Sequence, residues 1–165
     1  MQNTTPLAER MRPTSLENYI GQKHIVGEGA ILRNAIQSNL LPSIILWGPP
    51  GVGKTTLANI IAHQLKRPFY ALSAINSGVK EIRDVIDKAK GNGLFQQNNP
   101  ILFIDEIHTL IGTGSGTGTM DASNMLKPAL SSGELKVIGA TTYDEYRKIF
   151  EIEGALARRF QKVDI

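Results

Sequence analysis

The chain has 165 residues, 41% hydrophobic and 20% charged, the proportions of one globular domain and not of a disordered or collagen-like chain. It contains no cysteine, which excludes disulfides, thiolate metal sites, iron–sulfur clusters and cysteine nucleophiles. Lysine plus arginine number 18 against 15 acidic residues, and a net charge of +3 is too mild to argue for nucleic acid by itself.

No apolar run approaches the ~18 residues that cross a bilayer, and Met1–Arg10 lacks the apolar stretch of a signal peptide. The expectation is a soluble, cytoplasmic protein with no membrane partner. In chain order, residues 1–28 read as an irregular, partly basic lead-in, broken by Pro6, Pro13, Gly21 and Gly27. Residues 30–40 carry Ile31, Leu32, Ala35, Ile36 and Leu40 near helical spacing, and Pro42 ends that helix. Residues 43–47 form a short β-branched apolar run, expected as a buried strand. Residues 48–53 are a glycine- and proline-rich turn, and 54–66 a helix with Leu57, Ile60, Ile61 and Leu65 on its apolar side.

The alternation continues with a strand over 68–72, an amphipathic helix over 79–90 and a strand over 100–104 that runs into Asp105-Glu106. A helix is expected over 120–130, with Pro128 near its end or kinking it. A strand over 135–140, a short helix over 143–150 and a strand over 160–165 complete the chain. Strands alternating with helices predict an α/β fold, a mostly parallel sheet covered on both faces. One stretch is of low complexity, residues 112–118, Gly-Thr-Gly-Ser-Gly-Thr-Gly.

Gly48-Pro49-Pro50-Gly51-Val52-Gly53-Lys54-Thr55 fits G-x-x-x-x-G-K-[ST] without a gap, between an expected strand and an expected helix. Small residues let successive backbone N–H groups turn inward around phosphate oxygens, and the following helix adds its positive end. Lys54 places a cation on the terminal phosphates, and the Thr55 hydroxyl, with Thr56 beside it, suits the phosphate–Mg²⁺ end of ATP. The plain alternative is a glycine turn, and the full eight-residue match in the right context argues against it.

Asp105 and Glu106 close an apolar strand at its carboxyl end, the edge where open α/β sheets bind ligands. Asp105 would hold hydrated Mg²⁺, and Glu106 would polarise a water for in-line attack. An Asp-Glu pair alone is more often a solvated loop. The phosphate loop turns the balance toward function. His108 reads as a structural or surface residue and not as a ligand.

Four ordered segments, Gly48–Thr55, Ile101–Glu106, Gly139–Thr142 and Ala155–Phe160, together resemble the AAA+ ATPases. The resemblance implies a three-layer αβα P-loop fold, the AAA+ large subdomain with a five-stranded parallel sheet, and its two sites on neighbouring strands. It implies a single nucleotide-binding unit, 1–42 as lead-in and first helix and 43–165 as core. The helical lid that follows the fifth strand in the family is expected to be absent, leaving the adenine less enclosed. Thr142 matches the polar sensor that orients the attacking water. Arg158 and Arg159 match arginine fingers that reach a neighbour's γ-phosphate, which implies a homo-oligomeric ring. Ile25 matches the position beside the adenine ring.

Residues 6–108 resemble the replication-associated recombination ATPases, through Pro6–Pro13, Tyr19–Gln22, Ile45–Gly51 and Ser77–Arg83. Residues 109–165 resemble the first ATPase domain of Clp-type unfoldases, through Met120–Leu130, Gly139–Arg147 and Gly154–Lys162. This mosaic implies a recombined or engineered chimera. The aromatic pore loop of Clp motors has no counterpart in Ala74–Val79, while 112–118 takes the place of their second pore loop. The expected function is Mg-ATP binding and hydrolysis. Against it stand a non-catalytic nucleotide binder or scaffold and a nucleic-acid module. The last lacks the aromatic interleaving of single-strand binders. DNA and unfolded polypeptide are conceivable macromolecular partners without direct support in the sequence.

Overall fold

The structure is a computed structural model that describes residues 5–91, 99–111, 117–152 and 154–165, with the backbone alone for 117–121 and 149–152. Its elements run α1 (Leu7–Arg10), α2 (Lys23–Val26), α3 (Ile31–Gln37), β1 (Ile44–Trp47), α4 (Lys54–Gln64), β2 (Phe69–Ser73) and α5 (Val79–Gly91). They continue with β3 (Ile101–Asp105), α6 (His108–Ile111), α7 (Thr117–Ser132), β4 (Lys136–Thr141), α8 (Tyr143–Ile152), α9 (Gly154–Ala157) and β5 (Gln161–Asp164).

The five strands form one sheet in the order β2-β3-β4-β1-β5, and every pairing is parallel. The three central strands are buried on both faces, which is why their sequences are apolar runs and not alternations. Side chains of a strand point alternately to the two faces. On one face Ile44, Leu46, Ile101, Phe103, Ile138 and Ala140 pack against Leu57, Ile60 and Ile61 of α4 and Leu32 and Ile36 of α3. On the other, Leu102, Ile104 and Val137 meet Ile82 and Val85 of α5, Leu110 of α6 and Leu126 of α7. The three-layer α/β architecture follows. Both edge strands are partly exposed.

Several expectations need correction. The phosphate and acid sites do not lie on neighbouring strands, because β4 inserts between β1 and β3. Gly139 pairs with Ile45 on one side and Ile104 on the other. The lead-in is not wholly irregular, since it holds the single turns α1 and α2. The first long helix stops at Gln37, short of 40, because Ser38 caps it through Asn34 O (2.8 Å) and Asn39 turns left-handed at φ +55°. Pro128 lies inside α7, which runs on to Ser132 and ends before Gly133 at φ +74°. The single turns α6 and α9 were not anticipated. Residues 112–116, most of the glycine-threonine stretch, lie outside the described residues. No helix among the described residues is long and apolar enough to cross a membrane.

Candidate nucleotide site

The carboxyl ends of β1, β3 and β4 meet at one edge of the sheet, and two kinds of structure are assembled there. The first is backbone. Gly48 leaves β1 with its N–H bonded to Thr141 O (3.1 Å). A Cβ at Gly48 would collide with the carbonyl oxygen of Ile165, so only glycine passes between the ends of β4 and β5. Gly53 caps α4 at φ +94°, a conformation that side chains disfavour. The loop thus leads into the first turn of an 11-residue helix, whose dipole favours an anion.

Tyr19 braces this loop from the lead-in. Its hydroxyl donates to Val52 O (3.3 Å) and Gly53 O (3.4 Å). Burial raises its pKa, keeping the donor protonated. Lys54 Nζ donates to Gly48 O (3.0 Å) and Pro49 O (2.7 Å) within its own loop. Burial lowers the Lys54 pKa, and the charges of Asp105 and Glu106 oppose that shift. An anion arriving at the loop would compete with those two carbonyls for the ammonium and favour its charged form.

The second kind is side-chain chemistry. Asp105 ends β3, and its Oδ1 accepts the Glu106 N–H (3.1 Å). Glu106 sits at φ +54°, a strained conformation of order 1 kcal/mol. Ile107 N–H to Ala140 O (3.1 Å) and Thr109 Oγ1 to Glu106 O (2.9 Å) hold the turn there. Ile107 fills the space above Gly139, where a Cβ would lie 2.7 Å from its Cδ1. His108, read from the sequence as structural or surface, has a side chain only 14% exposed. Its Nδ1 lies 2.9 Å from Thr141 Oγ1, its Nε2 3.3 Å from Glu106 Oε2 and 4.0 Å from Glu145 Oε2.

A cleft of about 340 Å³ joins the two halves, lined by Pro50, Gly51, Lys54, Thr55, Thr56, Asp105 and Glu106 among others. Most of the expected site therefore converges. Arg12 also lines the cleft and is paired with Glu9 at 3.0 Å. Neither Arg12 nor Tyr19 was anticipated, and the only sequence signal for them was their place in a Pro- and Gly-broken lead-in. Ile25 stands apart, in a separate apolar groove of about 140 Å³ that shares no lining residue with the cleft. Thr142 follows β4, half-buried, and its carbonyl accepts the Tyr146 N–H (3.0 Å). Arg159 is tied within the chain, to Ser131 Oγ (2.8 Å) and Ala155 O (2.6 Å). Arg158 is exposed.

Trp47 lies just before the loop. Its ring meets Tyr143 (4.7 Å between centroids) and Tyr146 (4.9 Å), and Lys162 Nζ stands 3.9 Å from its centroid. Tyr143 in turn donates to Asp164 Oδ1 (2.8 Å).

Among the described residues no cluster of three or more histidines and carboxylates could hold a metal by itself. One hydroxyl at Thr55 and one carboxylate at Asp105, in a cleft fit for phosphates, suit a cation that keeps water and takes phosphate oxygens, as Mg²⁺ does.

Residues 44–164 match the model of the ATPase family associated with various cellular activities (AAA). The chain belongs to the AAA family. It is 46% identical over 154 residues to replication-associated recombination protein A of Haemophilus influenzae, covering 93% of this chain and 32% of that protein. It is 44% identical over 140 residues to the chaperone protein ClpB of Helicobacter hepaticus, covering 73% of this chain and 16% of that one. The Thermotoga maritima RuvB Holliday junction branch migration motor superposes with a TM-score of 0.67 at 26% identity, over 94% of this chain and 48% of that chain. The chain thus spans about a third or less of the length of these curated relatives. The resemblance to the recombination protein is not confined to residues 6–108, since it covers 93% of the chain.

Proposed function

We propose that this chain binds Mg-ATP in the cleft and hydrolyses it. The observation that carries the reading is the single cleft lined by Lys54, Thr55, Asp105 and Glu106, with the glycine loop and the start of α4 on the same wall. Backbone amides of residues 51–54 and the Lys54 ammonium would hold the phosphates. Thr55 and Asp105 would hold Mg²⁺, which when bound neutralises charge building on the β- and γ-oxygens. Glu106 would take the proton of an attacking water, and Thr142, one residue past β4, would orient that water. Catalysis of this kind is mostly positioning and charge stabilisation.

Arg158 would act from a neighbouring copy in a ring. Both arginines are exposed, and the bonds of the Arg159 guanidinium to Ser131 and Ala155 within its own chain favour Arg158 for this role. An arginine finger in trans contributes about 10³–10⁵ in rate, so turnover per chain should climb with concentration. Ile25 would offer the base an apolar face at the rim of its groove. The names and coverage of the relatives favour a task beside DNA over one in protein unfolding.

One titration with Mg-ATP in a calorimeter, followed by phosphate release, tests the reading. Heat and phosphate are expected. Heat without phosphate would make the chain a binder, and neither would make it a scaffold. Activity per chain that stays flat across a wide concentration range would remove the trans arginine.

A further inference from the structure

We propose that His108 is a positioning residue that fixes the Glu106 carboxylate to the carboxyl end of β4. The inference rests on the ATPase reading, because it concerns how that acid is aimed. Glu106 Oε2 and Thr141 Oγ1 come from different strands, and the one imidazole touches both, at 3.3 Å and 2.9 Å.

For a neutral ring, the chemistry of the three groups sets the direction of the bonds. An ionised carboxylate only accepts, so Nε2 must carry the hydrogen that faces Glu106. In the neutral ring Nδ1 is then the acceptor, and the Thr141 hydroxyl donates to it. The order is Thr141 O–H to Nδ1, then Nε2–H to Glu106. Thr141 is 2% exposed, so its hydroxyl has little water to fall back on and is directed by the histidine. One carboxylate oxygen of Glu106 is held in this way, and the other is left for the proton of the attacking water.

The surroundings make the ring a fixed post. Its side chain is 14% exposed, and α6 begins with it, so its backbone is set by the turn that also carries Glu106. On the α8 side it faces Glu145 at 4.0 Å, which Lys148 holds at 3.0 Å. A flexible carboxylate in a left-handed turn would otherwise sample several rotamers, and few of them would point an oxygen at the water. Thr141, buried and bonded to the acid's partner, belongs to this arrangement, while Thr142 next to it stands at the start of α8.

The test compares kcat and KM for ATP in the intact protein for wild type, Glu106→Gln, His108→Ala, His108→Gln, His108→Asn and Thr141→Val. His108→Ala should lower kcat by roughly 10- to 100-fold, the usual cost of losing the partner that orients a catalytic ligand, with KM within about twofold of wild type, since a positioning group acts on the barrier and not on binding. Glutamine can place an N–H near Nε2 and should recover more of kcat than asparagine, which reaches only the Thr141 side. Thr141→Val keeps the volume and removes the hydroxyl. It should lower kcat alone and add nothing in the His108→Ala background. A kcat within twofold of wild type in His108→Ala, or equal losses in the glutamine and asparagine variants, overturns the inference. If His108→Ala does not fold, an unchanged kcat in Thr141→Val overturns it. Wild type that binds Mg-ATP but releases no phosphate overturns the ATPase reading and the inference with it. Turnover that Glu106→Gln abolishes and His108→Ala spares overturns the inference alone.

Discussion

The two halves of the site are built from different materials. On the β1 side the work is done by backbone: glycines at positive φ, a helix start, and one lysine folded onto the loop's own carbonyls. On the β3–β4 side it is done by side chains reaching across strands: Glu106, His108 and Thr141. A backbone site depends on a few contiguous residues and tolerates changes around them. A side-chain site depends on strand register, so a small shift of β4 against β3 disarms it. The first half should therefore fail in binding, and the second in turnover.

The largest effect should come from Glu106→Gln, which keeps the shape and removes the proposed base. Phosphate release should fall by about 10²–10⁴ while calorimetric affinity for Mg-ATP stays near wild type. Loss of affinity instead would break the division between the halves. Lys54→Ala should do the reverse and weaken Mg-ATP binding by roughly 10- to 100-fold, the loss of a charge-assisted contact. Unchanged affinity there would remove the phosphate site.

Gly139→Ala sharpens the comparison, because Gly139 touches the acid turn through Ile107 and has no part in the phosphate loop. The new methyl presses on Ile107 Cδ1 and should cost about 1–3 kcal/mol in a denaturant melt. Adding Ile107→Val, which removes that carbon, should return part of the stability. Failure of the rescue would show that the strain lies elsewhere.

A pH series addresses Lys54 directly. Burial lowers its pKa, so in the free protein it gives up its proton at a lower pH than an ordinary lysine. For a base with a depressed folded pKa, the folding cost of burying its charge is present at neutral pH and is relieved as pH rises through the folded pKa. Binding runs the other way, since a triphosphate favours the ammonium. Affinity for Mg-ATP should decline on the alkaline side before the range of a free lysine, with proton uptake seen as buffer-dependent heat. The smallest change is Tyr19→Phe. Losing two long bonds to Val52 and Gly53 carbonyls should cost on the order of 1 kcal/mol in stability and leave turnover nearly intact.

What could be read from the sequence follows the same division. The phosphate loop was legible because its chemistry lies in eight adjacent residues, and the strands around it because burial on both faces leaves long apolar runs. The acidic pair was legible only through its neighbour. His108 and Thr141 are separated by 33 residues, and no spacing announces that β4 would bring them together. The insertion of β4 between β1 and β3 was likewise hidden, since strand order is a property of crossovers and not of local pattern. Tyr19 and Arg12 lay in a lead-in whose prolines and glycines mask its contacts. Pro128 was expected near the end of its helix or kinking it, and α7 runs two residues past the expected end, to Ser132, with Leu126 and Ala129 in the core.

The chain has one tryptophan, and it stands immediately before Gly48 with the Lys162 ammonium over its ring. Indole emission responds to nearby charge and to ring contacts. Filling the adjoining cleft should therefore change the colour or brightness of a single native fluorophore, so the protein carries its own optical gauge of occupancy and needs no attached dye.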